Sequence, residues 1–307
     1  MRKLSKISLL IISLIIFPHP ASRAAEVRQE RGGLAFYGVT FNKNIFVAVG
    51  DKGLVRTSPE GEKWISALSG TTEQLRAVAY GKNTFVSVGD RGVVLTSADG
   101  VEWAQRKLGI AASLRAVAFG DGGYVAVGDV GSILTSADGI EWSQRKSGTM
   151  TALKGVAFGA GGYVAVGDRG TILTSSDGVE WVAKKSGTFA NLRGVAYGGS
   201  GYVAVGAWGT VLVSADGANW RTAPAETTND LRGITYCFDS YITTGILSSP
   251  EKSLKSHRRV YVSQNGEKWS AINLEYSLPL YGVACGSERR FVVVGSKIMQ
   301  SVLPEAK

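Results

Sequence analysis

The chemistry available to this 307-residue chain is limited by what it carries. It has two histidines. His19 sits in a leader-like N-terminal segment, which leaves His257 as the one histidine of the remaining chain. A multi-histidine metal site is therefore excluded. No G-x-S-x-G elbow accompanies His257, so a serine-based triad has no support. No Walker loop is present. The recurring G-x-x-G sequences, such as Gly167-Asp168-Arg169-Gly170, sit between short apolar runs rather than at helix starts, and read as turns. No cofactor or metal is expected, and the chain reads as a non-enzyme. What remains is binding chemistry: cations, an aromatic and a ring of acids.

Two aligned columns carry most of those charges. One reads Tyr37, Arg76, Arg115, Lys154, Arg193, Arg232 and Tyr281; the other reads Asp51, Asp90, Asp129, Asp168, Ala207, Ile246 and Ser296. Pairing each acid with the cation of the following repeat matches charge with charge: Asp51 with Arg76, Asp90 with Arg115, Asp129 with Lys154, Asp168 with Arg193. One reading is a ring of inter-repeat salt bridges. The other is a cationic ring that captures an anionic ligand or acidic peptide. On the first reading Arg232 has no partner, because its partner column holds Ala207. Beside Ala207 stands Trp208, the one tryptophan outside the box motif described below. Ten extra residues fall between Gly245 and Ser263 and bring Lys252, Lys255, His257, Arg258 and Arg259. These seven residues, Trp208, Arg232, Lys252, Lys255, His257, Arg258 and Arg259, form the candidate partner-binding set. An irregular loop on a rigid scaffold suits binding; a solvated charge run beside a casually placed tryptophan is the other reading.

The elements that position these residues follow from a repeat. Strand-like phrases beginning at Phe36, Leu75, Leu114, Leu153, Leu192 and Leu231 are 39 residues apart, and a seventh at Leu280 follows after 49. Each unit reads as four short strands, here LKGVAF, Tyr163–Gly167, Thr171–Ser175 and Glu180–Gly187, rich in Val, Ile, Tyr and Thr and punctuated by Gly and Asp. Four strands in about 40 residues is blade geometry, with a β-solenoid as runner-up. The expected fold is all-β: a seven-bladed β-propeller of four-stranded antiparallel blades. The last unit lacks a fourth strand, and Glu26–Gly32 resembles Glu141–Ser147, so an N-terminal strand is expected to close the ring.

Between the third and fourth strands the chain repeats S-x-D-G-x-x-W at Ser97, Ser136, Ser175 and Ser214, with variants at Ser58 and Ser263. Asp-Gly suits a tight hairpin, with the carboxylate bonding nearby N–H groups. This motif resembles the Asp-box, or BNR, repeat of sialidase-like propellers. The Arg-Ile-Pro motif of sialidases is absent, so their catalytic residues are not carried over. The regular blades are closer in style to the photosystem II assembly-factor family and sortilin-like receptors. That resemblance implies a scaffold that holds other proteins. A carbohydrate-binding or glycoside-hydrolase propeller is the alternative; it would need two carboxylates flanking a cleft.

Arg2, Lys3 and Lys6, the apolar run Ile7–Phe17 and Ala21–Ala24 have the order of a signal peptide cleaved after Ala24. The expected organisation is a signal peptide over 1–24 and one propeller over 25–307, periplasmic or secreted, without an integral membrane segment. Removing the leader takes four of the 34 Lys and Arg and leaves a net charge of +5. That is too little to argue for nucleic acid. The expected partner is a protein, with an acidic segment or a glycan as its contact, and the chain is expected to be a monomer. Cys237 and Cys285 end the first strands of adjacent units, and a disulfide between them is left open.

Overall fold

The computed structural model describes residues 33–225, 227–246, 259–274 and 279–303. Seven antiparallel sheets follow the repeat. Each is a simple meander in which strands A, B, C and D run from the inside of a ring to its rim. Strand A starts every blade: Phe36–Asn42, Leu75–Gly81, Leu114–Gly120, Leu153–Gly159, Leu192–Gly198, Asp230–Cys237 and Leu280–Cys285. Six sheets have four strands, and the seventh has three among the described residues. The proposed closing strand at 26–32 lies outside the described residues. The last blade nevertheless packs on the first: Phe36, Phe46 and Ala48 share a buried cluster with Ala284, Val292 and Val294. No helix of the described residues is long and apolar enough to cross a membrane.

Strand D is shorter than its sequence suggested. In blade 4 it covers Val182–Lys184 rather than Glu180–Gly187. Trp181 belongs to the preceding turn, and the Ser186 side chain turns the backbone back by bonding Thr188 N–H at 3.3 Å. The turns between strands C and D explain themselves residue by residue. Ser175 Oγ accepts Gly178 N–H at 2.8 Å, Asp177 accepts Val179 N–H at 2.8 Å, and Trp181 donates its indole N–H to the Gly178 carbonyl at 2.8 Å. Gly100, in the equivalent turn of blade 2, has φ +80°, a value that favours glycine. Backbone N–H donors hold Asp99, Asp138, Asp177 and Asp216 below the usual carboxylate range. These acids are occupied with the turn.

The core lies between blades. Strand B supplies a fully buried aromatic to each interface, and in four blades it is tyrosine. Tyr163, Tyr202 and Tyr241 each donate a hydroxyl to a carbonyl of the preceding blade, Gly123, Gly162 and Gly201, at 2.7 Å. Burial pushes the Tyr163 hydroxyl up to about 12. The ring is further tied by a Cys237–Cys285 disulfide, Cα atoms 6.4 Å apart, joining the inner strands of blades 6 and 7. That distance answers the pairing left open by the sequence.

Candidate functional site

Two features of the repeat put the charged columns on one face. First, strand A carries a register shift at its second residue: Leu75 pairs with Gly89, but Ala77 pairs with Val88, leaving Arg76 unpaired in a bulge. The same shift recurs in blades 1, 3, 4, 5 and 7. A bulge re-aims its side chain, here toward the loop joining strands B and C. Second, that loop is a three-residue turn, for example Asp90–Gly92, whose first residue presents a carboxylate.

The bulged cation therefore meets the acid of its own blade. Arg76 donates to Asp90 in bidentate fashion at 2.5 and 2.8 Å, and Arg115 to Asp129 at 2.9 and 2.5 Å. Tyr37 donates its hydroxyl to Asp51 at 3.1 Å. The expected inter-blade pairs Asp51 with Arg76 and Asp90 with Arg115 are thus corrected, because the bulge turns these arginines back onto their own sheets, whereas the expected pair of Asp129 with Lys154 is present. Lys154 does bridge blades, lying 3.8 Å from Asp129 of the preceding blade and 3.5 Å from Asp168 of its own. The blade-to-blade connection is made by a column the sequence reading passed over, the residue before strand A. Gln74 donates to Asp51 at 2.6 Å, and Asn191 Oδ1 accepts Arg169 N–H at 2.9 Å.

Asp129 is held below the usual carboxylate range, first by its hydrogen bond from Arg115. Burial and the nearby Asp51 charge push Tyr37 up to about 12. Asp51, Asp90, Asp129 and Asp168 each have a bonded or charged partner, so this mouth is a self-satisfied frame rather than a pair of poised carboxylates.

The frame fails at blades 5 and 6. Ala207 removes the acid that Arg193 would meet, and Arg193 reaches instead to Asp230 at 3.1 Å, the first residue of strand A in the next blade. Arg232 lies 3.9 Å from the same carboxylate and packs over the Tyr281 ring at 5.8 Å. The expectation that Arg232 lacks a partner is corrected: it shares one. Nε of both arginines is buried without a hydrogen bond. Burial, then repulsion from Arg193, lowers the Arg232 guanidinium below its ordinary value. Asp230 also accepts the Trp208 N–H at 3.2 Å, fixing the turn on which Trp208 stands exposed.

Of the sequence-predicted set, Trp208 and Arg232 are thus brought to the same mouth by Asp230. Arg259 opens strand C of blade 6, paired through its backbone with Asn273. Lys252, Lys255, His257 and Arg258 lie outside the described residues. Asp230 itself was missed, although comparing the residues that precede the repeated Leu of strand A (Gln74, Asn191, Asp230) would have shown the one acid in that column.

No family model matches the chain, and no curated protein matches it. Among solved structures the fold is found many times. A structure described as YCF48 bound to D1 peptide superposes with TM-score 0.68 at 18% identity, covering 91% of this chain and 95% of its own. YCF48 from Cyanidioschyzon merolae gives TM-score 0.68 at 16% identity, covering 89% and 97%. A streptogramin B lyase gives 0.77 at 9% identity, covering 90% and 95%. At these identities the likeness is one of fold: a seven-bladed propeller whose neighbours include both binding proteins and an enzyme.

Proposed function

We propose that the chain is an exported, non-catalytic scaffold of the Asp-box kind that docks a protein partner on the face bearing its B–C turns, around Trp208 and Arg232. Trp208 carries this reading. It is a large aromatic, 71% exposed, held at φ 54° by a backbone that bulky residues avoid, beside two arginines sharing one carboxylate. Strain and exposure together at one tip are typical of recognition sites. A neighbour of the same fold is described as binding a peptide, which supports protein binding in general. Against catalysis stands the engagement of the repeated acids, in turns or in pairs. The basic and apolar leader supports export.

Capture from the exporting cell tests this. Wild type and a Trp208→Ala/Arg232→Ala double variant are immobilised, and recovered proteins are compared. The reading expects one or more proteins retained by wild type and lost by the variant. Equal recovery of every protein by both would remove the proposed site.

A further inference from the structure

The same face carries a second feature, running from Trp208 back toward blade 3. Two sets of tips project there. One is the middle residue of each B–C turn: Lys52, Arg91, Val130, Arg169 and Trp208, all with φ between 53° and 58°. The other lies three residues before strand A, in the linker between blades. Hydrogen bonds fix how these interleave. The Ala190 carbonyl accepts Gly170 N–H at 2.9 Å, while the Asn191 carbonyl accepts Ala207 N–H at 2.9 Å. Phe189 therefore stands between the Arg169 and Trp208 turns. One blade earlier, the Ala152 carbonyl accepts Asp168 N–H at 3.0 Å, and Gly131 packs so close to the Thr149 carbonyl that a Cβ would clash. Met150 accordingly stands between Val130 and Arg169.

The resulting arc reads Val130, Met150, Arg169, Phe189, Trp208. Its four apolar members are 53%, 76%, 93% and 71% exposed. Single exposed apolar residues are ordinary, but four in sequence along one rim form a patch. The turns of blades 1 and 2 carry charge at the equivalent tips, Lys52 and Arg91, so the repeat does not require apolar residues here. Valine and tryptophan at left-handed φ are costly choices for a turn that would relax with asparagine or glycine.

Charge separates this arc from its equivalent in blade 2. Arg91 is neutralised by Glu73 at 2.9 Å. At Arg169 the position equivalent to Glu73 is Thr151, and no carboxylate pairs with the Arg169 guanidinium among the described residues. An apolar rim with one uncompensated cation at its centre is complementary to a segment of opposite pattern. We infer that this arc holds an extended segment of a partner protein in which apolar side chains flank one carboxylate. The carboxylate meets Arg169, and the apolar groups cover Met150 and Phe189. This rests on the reading of the B–C face as a docking surface and specifies its occupant. An anionic lipid surface fits less well, because the arc offers a single uncompensated cation, Arg169, where binding to such a surface takes a cluster of them.

Panning a random 12-residue peptide library on the purified protein tests the inference. Enriched peptides are synthesised, and their affinity is measured by fluorescence anisotropy. The expected consensus has one Asp or Glu between apolar residues. Met150→Ser and Phe189→Ser should each weaken binding roughly tenfold, as truncation of an anchor does. Arg169→Glu should abolish it, and a peptide with its acid changed to Lys should regain binding to that variant. All three positions are exposed, so an unchanged Tm shows that folding is intact. No enrichment, a consensus without an acid, or indifference to the three substitutions would overturn the inference. So would preferential binding to phosphatidylglycerol vesicles that the peptides fail to compete. Peptides sensitive to Trp208→Ala alone would leave the docking face standing and remove this occupant; peptides sensitive to none of these changes would remove both.

Discussion

Blades 2 and 5 have the same strands, the same turns and the same bulge, yet their mouths behave differently. In blade 2, Arg76 grips Asp90 with two hydrogen bonds, and Arg91 on the turn tip is neutralised by Glu73. In blade 5, Ala207 replaces the acid, Arg193 leans on Asp230 from the next blade, and the tip is an exposed Trp208. The first mouth spends its charges on itself, and the second leaves groups facing outward. In an array whose blades are built alike, satisfied positions report folding, and under the proposed function the positions where the pattern lapses are the surface offered to a partner.

The comparison can be broken by substitution. The largest difference should appear between two tryptophans. Trp181 is packed against the blade 3–4 core and bonded to Gly178, so Trp181→Ala should cost about 3 kcal/mol. Trp208→Ala should stay within about 0.5 kcal/mol, as exposed substitutions do. Chemical denaturation of both variants measures this, and similar losses would undo the distinction. Next come the acids. Asp230→Ala deprives two arginines of their carboxylate and the Trp208 amide of its acceptor, and should cost about 2 kcal/mol. Asp90→Ala deprives one arginine and should cost about 1 kcal/mol, the partial exposure of the pair reducing both effects. A reversed order would show that Asp230 is incidental.

The interfaces sharpen the comparison through pH. Tyr163 titrates near 12 in the folded chain against 10.0 for the free side chain. Because the folded value is the higher one, its contribution is complete below pH 10 and is lost as pH rises from about 10 to 12. Tyr163→Phe should cost about 1 kcal/mol at neutral pH through the lost bond to Gly123, and should flatten that alkaline decline. Blade 2 has Phe85 at this position and already lacks the hydroxyl. The smallest effect has the opposite sign: Trp208→Asn should stabilise the fold by about 0.5–1 kcal/mol by relaxing the left-handed tip. A loss of stability would mean the tryptophan packs into the fold.

The propeller was legible in the sequence because its signals are local. A Ser, an Asp-Gly pair and a Trp build four of the C–D turns within seven residues, two variants follow with Glu-Gly and Asn-Gly, and the 39-residue spacing repeats the rest. The pairing at the mouth was not legible in the same way. Matching columns showed that acids and cations occur together, but not which blade each cation faces; the bulge at residues such as Arg76 decides that, and it leaves no mark in residue types. Asp230 opens a strand A, and Met150 and Phe189 sit in linkers, at positions that neither column includes. Cys237 and Cys285 could be placed at neighbouring strand ends, while their separation depended on how closely the inner strands approach.

Site-specific photo-crosslinking is the most direct test of the central claim, that the B–C face is the one kept free for a partner. A photoreactive amino acid is placed at position 208 and, in a separate protein, at position 82 in the A–B hairpin at the other end of its blade. Each is irradiated in the producing cell. The account predicts a discrete adduct from position 208 and none from position 82. Adducts from position 82 alone, or equal adducts from both, would contradict it.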